Sequence, residues 1–127
     1  MTDGAGGPMR IRQVVLDAAD VESVAVFWSE LLGWPMHRWS DEWISMTDGG
    51  VTLAIQHAPD HQAPSWGDPS RPQQVHLDIV VGGIEAAEAA VLELGGRKLD
   101  AQDGANAGFR VYADPAGHPF CLEYTSD

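Results

Sequence analysis

An α+β fold built from two βαβββ modules is the architecture this 127-residue chain predicts, and three observations carry it. A pattern of strand, capped helix and three short strands runs twice along the sequence. Echoes accompany it: Gln13-Val14-Val15-Leu16-Asp17 resembles Gln74-Val75-His76-Leu77-Asp78, and Leu32-Gly33 resembles Leu94-Gly95. Between the two runs, residues 58–74 carry Pro59, Pro64, Pro69 and Pro72, and proline has no N–H to give a ladder. One domain is expected over residues 10–127 behind a flexible Gly-rich start at 1–9, with module 1 at about 10–57, a connection at 58–74 and module 2 at about 75–127. The echoes sit at offsets of 61 and 62 residues, which leaves the register of the repeat open.

The first strand is expected at residues 11–16, with Val14 and Leu16 on one face and Gln13, Val15 and Asp17 on the other, because strand side chains alternate. Asp20 has the chemistry of a helix N-cap. From there Val24, Phe27, Trp28 and Leu31 recur at helical spacing, and Gly33 then Pro35 end a helix at 21–32. Short strands are expected at 36–39, 42–46 and 51–57, the last two joined by the turn Asp48-Gly49-Gly50. In the second run the expected elements are a strand at 75–81, a helix at 84–94 with Ile84, Ala87, Val91 and Leu94 inward, and strands at 97–100, 108–113 and 119–125. Asp114-Pro115-Ala116-Gly117 supplies turn chemistry between the last two.

Composition narrows the function. Seven basic against 19 acidic residues give a formal charge of -12, which repels nucleic acid and anionic membrane surfaces. Both halves share the excess, 3 basic and 9 acidic in residues 1–62 and 4 and 10 in 63–127, so solvated faces explain it and no function follows from it. The chain has no stretch of about 18 apolar residues and no signal-peptide pattern at its start, and its lone Cys121 has no partner for an internal disulfide, so a cytoplasmic setting is expected. Glycine-rich phosphate loops, Gly-x-Ser-x-Gly elbows and Cys-x-x-Cys pairs do not occur.

Strand parity gathers the chemically capable side chains. If Val75, Leu77 and Ile79 face the helices, His76 and Asp78 face away, joined by Gln13 and Asp17 from the first strand and by Cys121 and Glu123 from the last. Gln56 falls on the same side of strand 51–57, together with Thr52 and Ala54. Trp39 and Trp43 on short strands, Trp66 in the connection, and Tyr112 by parity with Arg110 are candidate walls for an aromatic or hydrophobic ligand. Packing under loops or at a subunit contact is the other reading of the tryptophans. His57 and His61 have helical ligand spacing, but Pro59 between them favours a solvated loop, and His118 reads as a turn residue.

Taken together, Val14-Val15-Leu16-Asp17 before the Asp20-capped helix, Phe27-Trp28, Leu32-Gly33-Trp34, His76-Leu77-Asp78, and Asp114-Pro115-Ala116-Gly117-His118-Pro119-Phe120-Cys121-Leu122 resemble the vicinal oxygen chelate superfamily. More narrowly they resemble its small actinobacterial-type glyoxalase-like proteins, over about residues 11–124. That resemblance implies curved mixed sheets around a cleft that binds a small molecule, often with a divalent metal, and commonly a homodimer. The superfamily holds glyoxalases, dioxygenases, epimerases, fosfomycin resistance enzymes and metal-free bleomycin-binding proteins, so the fold does not select a function.

Carried onto this chain, the histidine positions of metal-using relatives fall on Gln13 and His76, and their last-strand glutamate falls on Cys121, with Glu123 two residues later. No cofactor is therefore expected. If a divalent metal binds, its ligands would be His76, Cys121 and Glu123. Two functions stay in play. One is metal-independent binding of a small aromatic or hydrophobic molecule, of resistance or sequestration type, with Gln13, Asp17, Trp43, Gln56, Tyr112 and Cys121 as ligand contacts. The other is a lyase, isomerase or dioxygenase that uses His76 with Asp78 or Glu123 as catalytic groups. Beside these two stands a structural or regulatory dimer with an eroded cleft.

Overall fold

The computed structural model describes residues 5–99 and 108–124. Its elements run β1 (Val14–Ala18), α1 (Val21–Leu32), β2 (Met36–Ser40), β3 (Trp43–Thr47), β4 (Thr52–His57), β5 (Leu77–Val80), α2 (Ile84–Glu93), β6 (Arg97–Lys98), β7 (Phe109–Ala113) and β8 (Pro119–Glu123). They form two four-stranded sheets, β1-β4-β3-β2 and β5-β8-β7-β6. In each sheet the first strand lies parallel to the fourth and the other pairs are antiparallel, the signature of a βαβββ module. The α+β architecture of two such modules is thus the one the sequence predicts.

Local chemistry explains α1. Asp20 has extended backbone and its carboxylate accepts the Ser23 N–H at 3.2 Å, while Gly33 takes φ 72°, a left-handed conformation that a Cβ would strain. Its inward stripe, Val24, Ala25, Phe27 and Trp28, is almost wholly buried. The second helix is more weakly specified: its N-cap is Gly83, with no side-chain cap, and Val91 alone is fully buried on it.

Strand ends depart from the expected ones because a strand runs only as far as its partner. β1 begins at Val14, where β4 offers Leu53, and continues to Ala18 opposite His57, leaving Ile11 87% exposed. Likewise β5 spans Leu77–Val80 rather than 75–81, since its ladder opens at Leu77 opposite Phe120. His76 therefore sits just ahead of the strand. β6 is two residues long, and the expected Asp100 and Thr125 lie outside the described residues.

One hydrophobic core joins the modules. Phe27 and Trp28 of α1 reach Phe120 of β8, with ring centroids 6.0 and 4.9 Å away, and Trp28 Nε1 donates to the buried Asp114 carboxylate at 2.8 Å. The helix thus covers its own sheet and touches the other. Tyr112 and Val91 complete the contact from the second module.

Element starts also settle the repeat. Val14 to Leu77 and Val21 to Ile84 are both shifts of 63 residues, and the partners of the parallel pairs, Leu53 and Phe120, are 67 apart. Structural equivalents are therefore Gln13 and His76, Val15 and Asp78, and Ala54 and Cys121.

Candidate ligand-binding face

Pairing registers divide each sheet into two faces. In the first, Leu16, Ile55 and Ile44 form one row under α1, and the next row, Asp17, Gln56 and Trp43, points the other way. In the second, Leu77, Phe120 and Tyr112 face the helix side, and Asp78, Cys121 and Val111 face away. Asp17, Gln56 and Asp78 are exposed, Trp43, Cys121 and Glu123 partly buried. Gln13 stands just before β1, as His76 does before β5.

The structure brings His76, Asp78 and Cys121 together. His76 Nε2 lies 3.2 Å from Asp78 Oδ1, and one donor atom from each of the three residues fits within a 4.8 Å span. Burial, then the charge and hydrogen bond of Asp78, push the Cys121 thiol up to about 11. A thiol so placed stays protonated at neutral pH and is a hydrogen-bond donor, not a nucleophile. Glu123 lies one row further on, opposite Val80 and Phe109.

Tyr112 is a correction to the expected wall. Its register opposite Phe120 turns it toward α2, where it is fully buried and its hydroxyl donates to Glu88 Oε1 at 2.7 Å. Arg110 shares that side, bonded to Glu85 at 2.9 Å and 3.3 Å from Glu88. Tyr112 holds the Glu88 carboxyl below its ordinary value, while burial and Glu88 hold the phenol well above its own. Arg110 and Tyr112 do share a face, but it is the helix-packed one.

A second cluster involves residues that sequence reading treated as loop and turn. His61 Nε2 donates to the Ala116 carbonyl at 3.2 Å, and its ring stacks on His118 at 4.9 Å. His118 Nδ1 lies 2.9 Å from Asp114 Oδ2. The Asp114-to-His118 spacing within one tight turn was the available signal. Nothing local to His61 indicated that the connection folds back on that turn.

The donor set of the first group is suited to a zinc-class ion, since His, Asp and Cys are all zinc ligands and three protein ligands leave an open position. The equivalent positions in the first module are Gln13, Val15 and Ala54, which add no ligand of that kind. Among the described residues, the grouping thus lies wholly in the second module.

Comparisons agree on the fold. A family model described as "Glyoxalase-like domain" matches residues 13–123. No curated protein matches the chain. Among solved structures, a hypothetical protein from S. aureus superposes with a TM-score of 0.70 at 20% identity, covering 94% of this chain and 96% of that one. A glyoxalase-related enzyme from Fulvimarina pelagi gives 0.68 at 22% identity over 92% and 88% of the two chains. A fosfomycin resistance protein from Mesorhizobium loti gives 0.63 at 11% identity, over 90% of each. Among the described residues no helix is long and apolar enough to cross a membrane.

Proposed function

Because the chain belongs to the glyoxalase-like domain family, within the vicinal oxygen chelate fold, we propose that it binds a small aromatic or hydrophobic molecule on the face opposite its helices, without needing a metal. Resistance or sequestration is the type of role. One observation carries the reading: the polar groups of that face already engage each other, His76 with Asp78 at 3.2 Å and Asp78 with a protonated Cys121. Such a set offers donors and acceptors to a neutral polar group on a ligand. Asp17, Gln56 and Trp43, in one row of the other sheet, add an acid, an amide and an aromatic surface.

The 4.8 Å grouping of His76, Asp78 and Cys121 favours a second reading, a metal-dependent lyase, isomerase or dioxygenase. A bound zinc-class ion would supply Lewis acidity, and Glu123 would move the proton. Elemental analysis of protein purified without added metal separates the two. We expect well under one equivalent per chain, with any ligand found by thermal-shift screening of aromatic compounds still binding in the presence of a chelator. About one zinc per chain, lost on His76→Ala, would overturn the first reading and install the second.

A further inference from the structure

We infer that His118 is a proton-exchanging residue of a second ligand site, which takes a weak organic acid with an apolar body. A cavity of about 550 Å³ opens where β1, the connection and the β7–β8 turn meet, and Val15, Asp17, His61, Pro64, Arg71 and His118 are among its walls. Asp17 is shared with the face opposite the helices, while His76, Asp78 and Cys121 are not among these walls.

The imidazole is held by a buried carboxylate. Asp114, 2% exposed, accepts from Trp28 Nε1, from the Ala116 and His118 backbone N–H groups, and lies 2.9 Å from His118 Nδ1. The Asp114 oxygens act as acceptors in every one of these contacts, so Nδ1–H is the donor of the bond to Asp114. Nε2 makes no hydrogen bond among the described residues, and the ring lines the cavity. A base oriented by a carboxylate, on a ring that lines a cavity and with its other nitrogen unpaired among the described residues, is the arrangement that proton transfer needs.

The surroundings are built rather than incidental. His61 stacks on His118 and is tied by Nε2 to Ala116, and a Cβ on Gly117 would come within 2.4 Å of the Ala63 Cβ, so the connection is seated tightly on the turn. Apolar walls such as Val15 and Pro64 suit the body of a ligand. At the acid group, the O–H bond breaks, the proton passes to Nε2 and the electron pair stays on oxygen. The new anion then faces the imidazolium, backed by Asp114, and Arg71, whose Nη2 is anchored on the Ala63 carbonyl at 3.2 Å. Asp17 opposes it.

Titration of the full chain with 4-nitrophenol tests this, because the probe's absorbance reports its own ionisation. At a pH where the free probe is mostly neutral, the protein should produce a saturable gain of phenolate signal. His118→Gln should remove that gain and weaken binding by about tenfold, the effect of one hydrogen bond to a charged partner. Arg71→Gln should lower the bound phenolate fraction and Asp17→Asn should raise it, with His61 and Asp114 unchanged. No saturable signal with the parent protein, or an unaltered signal in a folded His118→Gln, would overturn the inference. If His118→Gln does not fold, the other two variants decide: shifts of opposite sign support the site, and equal or absent shifts overturn it.

Discussion

At Cys121, burial and the Asp78 carboxylate act in the same direction, since each makes the thiolate harder to form. The folded value of about 11 stands above the ordinary 9.0, so the stability this group confers is complete below about pH 9. It is lost as pH rises through about 11. We predict that alkylation of Cys121 by iodoacetamide stays slow near neutrality and accelerates only at high pH, and that Asp78→Asn moves the inflection down. An alkylation profile centred at the ordinary thiol value in the parent protein would show that Asp78 and Cys121 are not engaged. The sequence showed that these two residues share a face, because parity within a short strand is local. It did not reveal that Tyr112 faces the other way, because that depends on which β8 residue stands opposite.

Helices and strands differ in how much of their specification is local. The residues that start and stop α1, Asp20 and Gly33, are adjacent to it, and its observed bounds are the expected ones. Strand ends were less legible, since Leu77 opens β5 only because Phe120 lies across from it, and no window of sequence around residue 77 contains residue 120. The contrast between helix caps gives a stability test. Asp20→Ala should cost about 1 kcal/mol, and Gly83→Ser should gain a few tenths of a kcal/mol, because a hydroxyl there would accept an N–H that Gly83 leaves without a side-chain partner. Urea denaturation measures both, and a neutral Asp20→Ala would show that tertiary packing alone fixes the start of α1.

For the whole molecule, the contact that matters most is the one that crosses between modules. Trp28 is fully buried, its ring meets Phe27 and Phe120, and its indole N–H satisfies Asp114. Trp28→Phe should cost about 2 to 4 kcal/mol, from a lost hydrogen bond to a charged acceptor and the volume left behind, while unfolding remains one cooperative transition. Two separated transitions would mean that the modules stand independently. The same burial makes the chain its own optical reporter. Of five tryptophans, Trp39 and Trp66 are 66% and 42% exposed, whereas Trp28 is closed to solvent. Trp34 and Trp43 are partly buried, so acrylamide should quench the exposed indoles first and leave a blue-shifted residual emission to which Trp28 contributes, and the part of it lost in Trp28→Phe follows the docking of one half on the other without any label.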